Sequence, residues 1–91
     1  MQVNFRYSDT DFIAYLITLG YQYNKIEIIR DRNKQLKAFV YFIGEKDDLL
    51  QIQEEFKNGL VSVNILEFIR NRKIMVKLIK TAILQYQAKN M

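Results

Sequence analysis

The 91-residue chain contains no cysteine and no histidine. Without cysteine there is no disulfide, and without thiolate or imidazole the common zinc and iron centres have no ligands. The same two absences remove serine–histidine and cysteine–histidine nucleophile systems. Only a carboxylate, a lysine or a tyrosine is left for acid–base work. Proline is also missing and glycine occurs three times, so no glycine-rich phosphate loop exists. The apolar runs fall far short of the ~18 residues that a membrane span needs. The opening Met1-Gln2-Val3-Asn4-Phe5-Arg6 lacks the apolar centre of a signal peptide. The expectation is a soluble, cytoplasmic, non-enzymatic protein, one domain over 1–91, with no cofactor, no metal and no membrane association.

What is present is globular in character. Apolar residues make up 49% of the chain and charged residues 26%, which favours a packed core over disorder. The net charge is +4, but it is unevenly placed. Arg70, Arg72, Lys73, Lys77, Lys80 and Lys89 follow one another with no acid among them, whereas the acids concentrate between Glu45 and Glu55.

The chain is organised around Leu36-Lys37-Ala38-Phe39-Val40-Tyr41-Phe42-Ile43. This run is rich in aromatic and β-branched residues and too short for a buried helix, so it reads as a strand. Leu36, Ala38, Val40 and Phe42 point one way; Phe39, Tyr41 and Ile43 point the other. Both sides are mostly apolar, which predicts an inner strand covered on both faces. Before it, Val3 to Tyr7 alternates as a first strand. Ser8-Asp9-Thr10-Asp11 opens a helix, with Ser8 as its cap, that runs to about Leu19 and stops at Gly20. Tyr21 to Arg30 is a second strand, and Asp31 to Gln35 is the hairpin turn. Gly44 ends the central strand. A second helix follows from Glu45 with Leu49, Ile52 and Phe56 as its core stripe, and Asn58-Gly59 closes it. Leu60 to Val63 is a candidate short fourth strand. Asn64 caps a last and longest helix reaching about Gln87, which either continues, kinks or divides at Arg70-Asn71-Arg72-Lys73. The fold class is therefore α+β: an antiparallel sheet of three or four strands in β-α-β-β-α-(β)-α order. The long C-terminal helix packs on the sheet, with helices on both faces.

The first part of this order resembles the split β-α-β plan of ferredoxin-like domains. Ala38-Phe39-Val40-Tyr41-Phe42 is similar to the last five positions of the main strand signature of the RNA-recognition motif. Gln35, Leu36 and Lys37 depart from the positions before it, and Lys37 replaces a base-stacking ring. A second resemblance spans about Tyr7 to Lys80. Asp11-Phe12-Ile13-Ala14-Tyr15-Leu16, Gly20, Phe39-Val40-Tyr41-Phe42, and Val63-Asn64 with Phe68 downstream resemble a family of short phage and mobile-element proteins of unknown function. That resemblance implies a setting but no catalytic residue, cofactor or substrate.

Three sets of residues are candidates for function. At about 100° per residue, Arg70, Lys73, Lys77 and Lys80 share one stripe of the last helix, opposite an arc of Phe68, Met75, Leu78, Ile79, Ala82, Ile83 and Tyr86. With Arg72 nearby, the stripe is either a phosphate-binding surface for nucleic acid or a solvated outer face. Phe39 and Tyr41 either stack bases or lie in the core beneath the last helix, and the width of that helix's apolar arc favours the core. Tyr15, Tyr21 and Tyr23 form either a surface for a host-protein partner or the rim of the core. The carboxylate pairs Asp47-Asp48 and Glu54-Glu55 do not converge on an ion, because adjacent helical residues point about 100° apart. Pairing of the last helix with a second copy would give a homodimer.

Overall fold

The computed structural model describes residues 2–90. Among them, three strands and three helices follow in the order β1 (Gln2–Tyr7), α1 (Thr10–Thr18), β2 (Tyr23–Arg30), β3 (Leu36–Glu45), α2 (Lys46–Lys57) and α3 (Ile65–Lys89). The strand order is β1-β3-β2, with β3 antiparallel to both neighbours. β1 and β2 are thus parallel to each other, joined through α1 with β3 inserted between them. This is the split β-α-β plan, and the fold class is the α+β class expected.

Local chemistry sets the boundaries. Asp9, not Ser8, caps α1: its carboxylate accepts from the N–H groups of Asp11 and Phe12. A carboxylate is the stronger acceptor for the positive end of the helix. Gly20 follows the α1 cap with φ of +107°, a conformation that side chains disfavour. In the hairpin turn, the Asp31 carboxylate accepts from the N–H groups of Asn33 and Gln35. Asn64 caps α3 by accepting from Glu67 N–H at 3.0 Å. α3 passes through Arg70–Lys73 as one helix of 25 residues. Leu60 to Val63 is not a strand; Leu60 is 68% exposed and the segment simply connects α2 to α3.

Gly44 does not end β3, which continues to Glu45. It sits buried in the strand, where a Cβ would lie 3.1 Å from Leu49 Cδ1 and 3.2 Å from Tyr21 Cε1. Its lack of a side chain lets α2 and the segment before β2 approach the sheet.

The core lies on one face of the sheet. Phe12, Ile13, Tyr15 and Leu16 of α1, Val40 and Phe42 of β3, Leu49 of α2 and Met75 of α3 form one buried cluster. Phe5, Tyr7, Ile26, Ile52, Phe56, Phe68 and Ile79 pack around it. All three helices therefore contribute to the same side, and the expectation of helices on both faces is corrected. α3 does pack on the sheet, but beside α1, where the Asn71 amide donates to Thr18 Oγ1 and Arg72 pairs with Asp11.

The physical reason lies in the flanking strands. The register places Arg6 and Lys25 beside Tyr41, and Glu27 beside Phe39. That face would offer an apolar helix mostly charged neighbours. The other face offers Val40, Phe42, Ile26 and Ile28, which the nine-residue α1, about 14 Å long, cannot cover alone.

Candidate nucleic-acid interface

α3 is long because its residues are good helix formers with one continuous apolar side, and because Asn64 fixes its start. Met75 is 1% exposed and turns that side to the core, with Phe68, Ile79, Ala82, Ile83 and Tyr86 half-buried along it. Leu78, at the margin of the arc, is 36% exposed. Facing Met75 inward turns Arg70, Lys73, Lys77 and Lys80 outward, and all four are exposed. Their spacing of three, four and three residues puts them within an arc of ~80° over about 15 Å of helix. Among the described residues no ion pair involves any of them. The single acid of α3, Glu67, precedes Arg70 by three residues, ~60° around the helix, and lies ~80–140° from the three lysines. The outcome is a row of cations, unpaired among the described residues, with one acid flanking its first member.

Arg72 does not belong to this row. It sits on the flank toward α1, held in its pair with Asp11, so its charge is already partly neutralised.

The second candidate surface is the sheet face that bears no helix. Phe39 and Tyr41 are half-buried there and Ile43 is 51% exposed. Their rings are not bare. The Arg6 guanidinium lies 4.3 Å from the Phe39 ring centre, Lys37 lies 5.5 Å from the same ring, and Lys25 lies 5.0 Å from that of Tyr41. The Tyr41 hydroxyl donates to Glu27 Oε1 at 2.7 Å. This bond, with help from Lys25 and Arg6 and against a contribution from desolvation, holds the Glu27 carboxyl below its ordinary range. Cations thus shield the two aromatic rings in place of a helix, a role expected of cation–π contacts at partly exposed sites.

The three tyrosines separate. Tyr15 is 5% exposed, with its ring centre 5.2 Å from that of Phe56; it is core and has no surface to offer a partner. Its position within the five consecutive apolar residues Phe12 to Leu16 of a short helix explains the burial. Tyr21 and Tyr23 do come together, lining an apolar cleft of about 310 Å³ with Ile74, Met75 and Leu78 of α3.

Tyr7 was not singled out by sequence. Its hydroxyl is shielded from solvent and has no hydrogen-bond partner among the described residues. Burial, then the neighbouring Tyr21, pushes its phenol above the ordinary value. Among the described residues, no cluster of three or more carboxylates could hold a metal ion, and no helix is long and apolar enough to cross a membrane.

No protein-family model, curated protein or solved structure matches the chain significantly.

Proposed function

We propose that the protein is a small non-enzymatic binding protein of the phage or mobile-element kind, and that it contacts nucleic-acid phosphates through Arg70, Lys73, Lys77 and Lys80. The observation that carries this reading is the row itself: four exposed cations on one helix, aligned and unpaired among the described residues, with no acid between Arg70 and Lys80. A solvated helix face that serves only solubility gains from mixed charge, since like charges three or four residues apart repel. A face of one sign is instead suited to a polyanion, whose condensed counterions are released on contact. The contacts would position the backbone and read little sequence.

The test is a binding measurement with labelled duplex and single strand at low salt. The wild type is expected to bind, and the Lys73→Glu, Lys77→Glu double variant is expected to lose binding with its melting temperature unchanged. No binding by the wild type at low salt removes the proposal.

A second reading, a protein-binding modulator of a host or defence protein, draws on a separate observation. Leu60, Val61, Ile65, Leu66 and Ile69 are all more than 40% exposed and lie within ten residues. Clustered exposed aliphatics mark association surfaces, for a partner or for a second copy. Capture of one specific protein from a host extract treated with nuclease supports this reading; recovery of nucleic acid alone counts against it.

A further inference from the structure

The start of α3 carries aliphatic side chains that the fold does not use. Asn64 caps the helix, and Val63 before the cap and Phe68 after it both pack against the core. These two positions form the staple that fixes how the chain enters a helix. Ile65 and Leu66, the first two helical residues, are instead 63% and 69% exposed. A helix start favours proline or acids at such positions, so neither the first turn nor the core accounts for them. Leu60 and Val61 in the connection before α3, and Ile69 one turn into it, are exposed as well.

These five side chains present roughly 500 Å² of accessible surface, toward the upper end for one apolar patch on a monomer. Doubled across a two-fold axis, that reaches about 1,000 Å², the lower bound for a specific interface. Charge selects the occupant. Residues 60–69 contain one charged side chain, Glu67, and Arg70 follows it. Neither has an ion-pair partner among the described residues. An apolar patch edged by one charge of each sign is complementary to itself, whereas a polyanion finds no use for its aliphatic carbons.

We infer that the protein forms a two-fold dimer in which the first two turns of α3 pack antiparallel against those of a second copy. Leu60 and Val61 lie at the margin, and Glu67 of each copy meets Arg70 of the other. An overlap centred between these two residues sets Lys73 of one copy level with Asn64 of the other, where that copy's α3 begins. Lys73, Lys77 and Lys80 therefore run past the partner helix, and the two cation rows do not oppose each other. Pairing along the whole of α3 would set like charges together, at a cost of several kcal/mol. The Arg70 guanidinium has five N–H donors, so a carboxylate at one edge leaves the other edge for a phosphate. The inference rests on the patch behind the second reading above and names its occupant. It does not depend on phosphate binding.

The test is sedimentation velocity of the full chain without nucleic acid, from ~5 to ~500 μM in ~0.3 M salt, where exposed charges are screened. The mass is expected to rise from 10.9 kDa toward twice that value, with a dissociation constant of about 100 μM or lower. Leu66→Asp keeps the helix start intact, because an acid suits it. The change occurs twice in the dimer and should weaken it about 100-fold. Leu84→Asp, about 27 Å further along the same helix, should leave it unchanged. A mass of 10.9 kDa at every concentration overturns the inference. So does growth beyond the dimer, or self-association that Leu66→Asp leaves intact. Equal loss in both variants does the same, since it places the contact along the whole helix. A chain that stays monomeric and sediments with vesicles of anionic lipid assigns the patch to a membrane surface and also overturns it.

Discussion

Replacing Met75 with alanine removes the side chain that fixes α3 to the rest of the molecule. Met75 is 1% exposed, and its buried neighbours in the cluster, Leu16, Phe42 and Leu49, are each 0% exposed. They are held by α1, β3 and α2 respectively and cannot easily collapse into the space left. Methionine-to-alanine changes in such sites cost about 2–5 kcal/mol, and a site that relaxes poorly falls in the middle or above, about 3 kcal/mol. A chain of this size has a total stability of about 5–14 kcal/mol, so the loss is a large share of the whole. It corresponds to a fall in melting temperature of roughly 15 °C. Urea unfolding of the variant, compared with Leu84→Ala on the same helix, measures it. Leu84 is 65% exposed, and its truncation should change stability by less than ~0.5 kcal/mol. If Met75→Ala costs less than ~1 kcal/mol, or if Leu84→Ala costs as much, α3 does not dock through Met75 and the outward orientation of its cations loses its basis.

Further expectations follow from the same structure. Tyr7→Phe should raise stability by about 1 kcal/mol, because it deletes a buried hydroxyl without a partner; a less stable variant would show that the hydroxyl is satisfied. The raised Tyr7 pKa means that the folded chain holds its proton where the unfolded chain releases it. That contribution is complete below pH 10.0, is lost as pH rises through the folded value, and should be absent from alkaline unfolding of Tyr7→Phe. Asn64→Ala should cost about 1 kcal/mol by removing the α3 cap, measured by urea unfolding; no change would mean that the first turn is held by packing alone. Gly44→Ala should cost roughly 1–3 kcal/mol despite alanine's lower backbone entropy, because the added carbon crowds Tyr21 and the fully buried Leu49. A stabilised variant would show that α2 can shift away.

The order and type of the elements were legible because period-2 and period-3.6 patterns alternate cleanly along the chain, and because Asp31 to Gln35, Gly20 and Asn64 are strong local signals. The face on which α3 packs was not legible from β3 alone, where Phe39, Tyr41 and Ile43 look as apolar as Val40 and Phe42. The information lay in the neighbours: Arg6, Lys25 and Glu27 share a face with those rings, but only the register reveals it. The cation row could be read directly from spacing, since an α-helix fixes angle from sequence separation. The pairing of Arg72 with Asp11 spans 61 positions, a separation at which spacing carries no information. Burial of Tyr15 was signalled by the apolar run Phe12 to Leu16, yet three nearby tyrosines suggested a shared surface.

The most direct test of the central claim, that the α3 row is a phosphate-binding surface, is the salt dependence of nucleic-acid affinity. Four phosphate contacts give a slope of log affinity against log salt of about −3.6 on duplex, so raising salt from ~50 to ~200 mM should weaken binding about 150-fold. Lys73→Gln with Lys77→Gln removes two contacts and should bring the slope to about −1.8. A slope near zero, or the same slope for wild type and double variant, would contradict the account.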